Sequence, residues 1–318
     1  MVNDIFIQLE VTFSQRCAEP SLLRPAWNGL SQIYPPDLAR FRAHSPYMPS
    51  TLVAMRSGDL GMAVLWIVQS ALIRSIAREC SRAGSDTLHN AIRHNEIGSL
   101  AHSEKPGNPV ILRKSPDGIN LSGEKSYITG GLQTHFIVIT AREPGGEKIS
   151  KLAFVPASTL PAHALEDLRF PALKTTGHAR LTMRDMPIPA HHILPLEDSR
   201  LRRTISIWGL IERAYIMEAF TGFCIYCARK LSSMLPHSTS IEEKLLALLN
   251  EQSSLAGGML DSAMSDTGRV EMKSADIAAL FAIAEDLRTT ATHNDAHITP
   301  DDRLRFADLG LFSMMKIR

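Results

Sequence analysis

Apolar and polar positions fall into three regimes along the chain. Up to about residue 50 the pattern is broken, with Pro20, Pro25, Pro35, Pro36, Pro46 and Pro49 separating short helical pieces. Over residues 57–82 apolar positions recur near helical spacing, at Leu60, Val64, Ile67, Leu72 and Ile76, which predicts one long apolar helix. Ser57 and Asp59 are start signals for it, and Gly84 a stop. Between residues 97 and 193 the runs become short and β-prone: 109–113, 119–122, 135–140, 152–155, 165–170 and 179–183, separated by Gly, Pro and Asp clusters at hairpin-like distances. After that the helical period returns over 204–231, 240–260, 274–289 and 302–315.

No helix of ordinary length alternates with the short runs, so a parallel βαβ sheet is disfavoured. The pattern predicts an α+β chain: a helical N-terminal domain (1–96), a central antiparallel β-barrel or sandwich domain (97–193) and a C-terminal helical bundle (194–318). A length of 318 residues suffices for two or three such domains. The net charge is +1 and the basic residues are scattered, which gives no footprint for nucleic acid.

The first ten residues carry no basic lead before an apolar run, as a signal peptide would. The longest apolar run, 61–73, contains Gln69 and Ser70 and stops at Arg74, too short to span a bilayer. A cytoplasmic protein without a membrane partner is the expectation. Cys17 and Cys80 stand alone. Cys224 and Cys227 have CxxC spacing, but they lie in a helical pattern with no second pair, which points to helix packing. His191 and His192 are adjacent on a segment that reads as extended, so they face opposite ways and no metal site is expected.

Two stretches carry candidate chemistry. Ser115-Pro116-Asp117-Gly118 is a turn between two β-prone runs and predicts a hairpin. Its second strand leads to Tyr127-Ile128-Thr129, followed by Gly130-Gly131. A flat ligand could lie there against main chain and ring, or Tyr127 could be an ordinary surface residue of a sheet. The helix over 205–225 is apolar nearly all round, which marks it as buried, and its charged members are Glu212, Arg213 and Glu218. Trp208, Gly209, Tyr215 and Ile216 share a face with Glu212, so no base three or four residues away pairs with it. An unpaired buried carboxylate has a raised pKa, in the range useful to a general base. The same acid could instead pair elsewhere in the fold or face water.

The segments Leu100-Ala-His-Ser-Glu-Lys-Pro-Gly107, Gly123-Glu-Lys-Ser-Tyr-Ile-Thr129 and Leu173 to Pro189, ending in Arg-Asp-Met-Pro-Ile-Pro, resemble in order and spacing the middle domain of the acyl-CoA dehydrogenase family. That family reads Thr-Glu-Pro, Gly-x-Lys-x-Trp-Ile-Thr and Asp-Val-x-Val-Pro at these places. The similarity covers roughly 97–230. It implies FAD as cofactor, with Ser103, Tyr127, Ile128 and Thr129 as cofactor-binding residues. Leu210-Ile-Glu-Arg213 falls where the isovaleryl-CoA and long-chain members carry their base, so the resemblance makes Glu212 catalytic and Arg213 a substrate-binding residue. The implied reaction is α-proton abstraction by Glu212 with β-hydride transfer to flavin N5, on an acyl-CoA or acyl-carrier-protein thioester, in a homo-oligomer.

The sequence departs from the family at the shortened loop Ser103 to Val110. The motifs that hold the ADP half of FAD have only echoes in Arg229 and Gly257-Gly258, and the family's last helices fall beyond Arg318. Those departures put binding of the ADP half in question. They also fit a non-catalytic chain that keeps the fold as a binding or assembly module.

Overall fold

The prolines near the N-terminus delimit short helices: α1 (Val2–Val11), α2 (Phe13–Ala18), α3 (Leu23–Ile33) and α4 (Pro49–Ser57). The structure is a computed structural model and describes residues 2–38, 41, 47–80, 84–104, 107–115, 118–235, 237–264 and 277–311. Pro46 and Arg82 lie outside the described residues. Pro49 opens α4, where a missing N–H costs nothing.

The helix expected over 57–82 begins later than the sequence suggested. Ser57 ends α4, Gly58 closes it with φ 64, and Asp59 caps the next helix by accepting the Met62 N–H at 2.9 Å. That helix runs as α5 (Leu60–Ile67), a π-helical stretch (Val68–Ile73) and α6 (Arg74–Glu79). Its 20 residues are long and apolar enough to cross a membrane, which corrects the expectation of too short a run. The apolar window is nonetheless 94% buried by protein, as in a core helix. Helix α7 (Asp86–Arg93) follows.

The strands are β1 (Gly98–Ala101), β2 (Ile111–Ser115), β3 (Gly118–Thr129), β4 (Phe136–Ala141), β5 (Lys151–Pro156), β6 (Leu165–Asp167) and β7 (His178–Ile188). They form two sheets, ordered β1-β4-β5 and β2-β3-β7-β6. The pairing is antiparallel except for β1 with β4, which is parallel. Ser115 pairs with Gly118, as the expected hairpin requires, while Pro116 and Asp117 at its tip lie outside the described residues. The run expected over 165–170 is strand only to Asp167, because the chain then turns through Arg169 at φ 45.

The chain divides into two compact units. The sheet unit comprises Val68–Arg169 and Thr176–Gly209. One of its cores lies among the strands and includes Leu112, Leu121, Ile128, Ile137, Val155 and Leu181. Every position of β4 is buried, since its other face packs Phe136 and Val138 with Ile73, Ile76 and Leu88. A strand covered on both faces needs a continuous apolar run, which Phe136-Ile-Val-Ile supplies.

The helical unit comprises Met1–Ile67, Phe170–Thr175 and Leu210–Arg318. To its N-terminal helices it adds the C-terminal part of α8 (Asp198–Lys230), then α9 (Ser238–Met264), α10 (Ile277–His293) and α11 (Pro300–Phe306). Within the stretch expected to be helical over 302–315, α11 gives way to a 3-10 turn, Ala307–Gly310, and residues 312–315 and Ser274 lie outside the described residues. Helix α8 is buried all round only from Glu218 to Ala228, whereas Arg202, Arg203, Ser206 and Arg213 are exposed. Arg16 and Asp59 form a buried ion pair, and Asp59 also accepts the Thr175 hydroxyl at 2.6 Å. Asp308 accepts the Leu173 N–H at 2.7 Å, so two carboxyls hold the segment 170–175.

Candidate functional site

In the sheet unit, β3 carries three of the residues nominated from the sequence. Its ladder to β7 slips between Lys125 and Ile128, and within that bulge Tyr127 adopts φ 60. A bulge re-aims the side chains around it. Tyr127 is thrown outward, 56% exposed, while Ile128 returns to the core with no exposure. Ile128 therefore has only its backbone to offer a ligand. A left-handed aromatic residue costs of order 1 kcal/mol or more, and such strain persists where the surroundings fix it.

Thr129 is half-buried, its carbonyl accepts the Ser99 hydroxyl, and it pairs with His178 of β7. Burial pushes His178 down to about 4 against the opposing charge of Asp167, so its ring is neutral at physiological pH. Ser103 is exposed, and its carbonyl accepts the Ser126 N–H at 3.0 Å, which lays the Ser103 segment along the bulge. The space beside Gly130 and Gly131 is filled by protein, since a Cβ on Gly131 would sit 3.1 Å from the His178 nitrogen. These glycines serve the turn into the 3-10 segment Gly131–Gln133 rather than a cleft.

In the helical unit, Glu212 and Arg213 stand next to each other on α8, Glu212 partly buried and Arg213 exposed. Burial pushes the Glu212 carboxyl up to about 7, and the Arg213 charge opposes that only in part. The carboxyl is crowded by protein while part of the residue stays exposed. Among the described residues Glu212 makes no hydrogen bond or ion pair.

Glu218 was visible in the sequence as a charge in an apolar helix, but it carried no assigned role. It is fully buried and accepts the Thr51 hydroxyl at 2.8 Å through Oε1, while Oε2 is buried without a partner. Burial raises it to about 7 as well, against the bonds from Thr51 and Met48. The two acids differ in access: Glu218 is fully buried, whereas Glu212 is partly exposed.

The remaining features carry less chemistry. Cys224 and Cys227 are buried free thiols in the helix. His191 and His192 lie in a 3-10 turn rather than on an extended segment, with ring centroids 4.7 Å apart. No cluster of metal-ligating residues occurs among the described residues. Gly257 and Gly258 are helical within α9, and Arg229 pairs with Glu242 at 2.7 Å. A cavity of about 350 Å³ on the sheet unit is lined by Glu143, Lys148, Asp198 and Arg202, and by none of the nominated residues.

No family model and no curated protein matches the sequence. Solved structures do match the fold. Glutaryl-CoA dehydrogenase from Mycobacterium smegmatis superimposes with a TM-score of 0.73 at 15% identity, over 99% of this chain and 89% of that one. The fold is that of the acyl-CoA dehydrogenases. An apo form of PigA matches the same fold at a TM-score of 0.65 and 15% identity, over 97% of this chain and 88% of its own. Butyryl-CoA dehydrogenase from Megasphaera elsdenii matches at 0.56 and 16%, over 83% of this chain and 75% of its own. In this acyl-CoA dehydrogenase fold, Tyr127 and Thr129 sit at the end of a β-strand and Glu212 on the first long helix after the strands.

Proposed function

We propose that the chain is a flavin-dependent oxidoreductase of the acyl-CoA dehydrogenase type, acting on an acyl-CoA or acyl-carrier-protein thioester. The observation that carries this reading is Glu212, a partly exposed acid that makes no hydrogen bond or ion pair among the described residues and that burial raises to about 7. An acid at that value is part ionised at neutral pH, which suits a general base.

The residues on the sheet unit fit a flavin. Tyr127 offers an exposed aromatic ring, Ser103 is exposed on the segment bonded to the bulge, and Thr129 follows the bulge half-buried. Among the structures sharing the fold, one glutaryl-CoA dehydrogenase is in complex with FADH2 and one PigA structure holds FAD and proline. When bound there, a flavin would supply the acceptor for a hydride from the β-carbon. Glu212 would take the α-proton onto a carboxylate oxygen, and the Arg213 charge beside it favours the ionised carboxylate against the effect of burial.

A lost general base typically costs 10²- to 10⁴-fold in rate, about 3 to 5 kcal/mol of barrier. Protein loaded with FAD should therefore lose its long-wavelength flavin absorbance when an acyl-CoA is added. Glu212→Gln should bind FAD equally well and stay coloured. A Glu212→Gln protein that bleaches at the wild-type rate, or a wild type that takes up no FAD, would overturn the reading.

A further inference from the structure

One polar network in the sheet unit has no part in the chemistry proposed above. Lys125, on β3, has no solvent exposure. Its ammonium has three N–H donors and three acceptors: Glu104 Oε1 at 2.7 Å, Thr140 Oγ1 at 2.8 Å and the His102 carbonyl at 3.3 Å. Thr140 belongs to β4, and His102 and Glu104 follow β1, so one side chain of the β3 sheet is tied to the other sheet. Glu104 is a hub in turn, taking Arg142 on Oε2 at 2.7 Å and the Val110 N–H on Oε1 at 3.2 Å.

Burial lowers Lys125 to about 8, with Glu104 opposing that effect. Burial alone would raise Glu104, but the hydrogen bond and charge of Lys125, with Val110 and Arg142, take it below the ordinary range. Both members of the pair are thus charged at neutral pH. A buried ion pair is seldom more stable than well-packed apolar residues of the same size, so its placement calls for another reason.

That placement is the bulge. Lys125 is the last residue of β3 in register with β7 before the ladder slips, and Glu104 bridges to it from the facing segment. The next residue, Ser126, donates its N–H to Ser103, and the one after is Tyr127 at φ 60. Where β3 gives up its bonds to β7, it is pinned instead to residues 102–104. We propose that Lys125 and Glu104 are positioning residues, whose ion pair pins the bulge so that Ser103 and Tyr127 present one fixed surface to a flavin ring. The proposal rests on the flavin reading for its ligand, while the pinning itself can be measured without one.

Three variants separate this from a merely structural ion pair: Lys125→Met, Glu104→Gln and the double variant. The measurements are Tm, amide hydrogen exchange of Ser126 and Tyr127 in the flavin-free protein, and FAD affinity by fluorescence quenching. Lys125→Met leaves Glu104 with Arg142 and the Val110 N–H but without its buried cation and should lower Tm, and the double variant should regain part of that loss because the one cation it leaves without Glu104, Arg142, is partly exposed. Exchange at Ser126 and Tyr127 should remain fast in the double variant and in Glu104→Gln, with FAD affinity weaker by about tenfold or more. A double variant whose exchange and FAD affinity recover along with Tm would overturn the proposal, as would a folded Glu104→Gln with wild-type exchange. If the wild type fails to bind FAD, the flavin reading falls, and exchange in folded Glu104→Gln alone decides whether the pair pins the bulge.

Discussion

Removing the charge from Glu212 should stabilise the protein, and only at high pH. The folded state raises this carboxyl from 4.5 to about 7, with burial as the main cause. Because the folded protein holds the proton more tightly than the unfolded chain, the side chain costs no stability below about pH 4.5 and an increasing amount as pH rises through 7. At about 1.4 kcal/mol per tenfold change in acidity, the full shift corresponds to about 3 kcal/mol. The side chain is partly exposed, and water screens part of that, leaving about 1 to 2 kcal/mol. Glutamine matches the protonated acid in shape and carries no charge. Urea unfolding of wild type and Glu212→Gln should give equal stabilities at about pH 4.5 and a gain of about 1 to 2 kcal/mol for the variant at about pH 8.5. Glu218 and Asp308, also raised to about 7 by burial, are present in both proteins and cancel. A difference that is the same at both pH values would refute the burial of Glu212 and with it the claim that this acid is tuned.

Glu218→Gln keeps the Thr51 bond and relieves a fully buried acid, so its gain at the same high pH should exceed that of Glu212→Gln in the same unfolding assay. Asp59→Asn leaves Arg16 charged and buried, and should cost about 3 to 5 kcal/mol by denaturant titration. Gly58→Ala places a methyl 2.4 Å from the Tyr226 ring at φ 64, and should lower Tm sharply. Gly258→Ala, in open space on α9, should raise stability by about 0.5 to 1 kcal/mol.

Signals that act over a few residues were legible in the sequence. The β2–β3 hairpin followed from Pro-Asp-Gly, and the helical stretches from their period, because turn chemistry and periodicity are local. Helix ends were less so: the break at Gly58 is a cap in the left-handed region, and Ser57 reads equally well as an end or a start. The parallel pairing of β1 with β4 was not foreseen, since register between strands distant in sequence leaves no local mark. Nor was the bulge at Tyr127, beside which Lys125 reaches Glu104 on the segment after β1, a contact between residues distant in sequence. Glu212 could be nominated because an acid without a helical partner is visible in the spacing alone, whereas its partial exposure depends on what surrounds α8.

In the proposed reaction Glu212 removes a proton from the carbon next to a thioester. The direct test is exchange of that proton with solvent: FAD-loaded protein is incubated with an acyl-CoA in D2O, and deuterium at the α-carbon is followed by mass spectrometry. Wild type should incorporate deuterium, and Glu212→Gln should do so at least about 100-fold more slowly. Incorporation by Glu212→Gln at the wild-type rate would contradict the account.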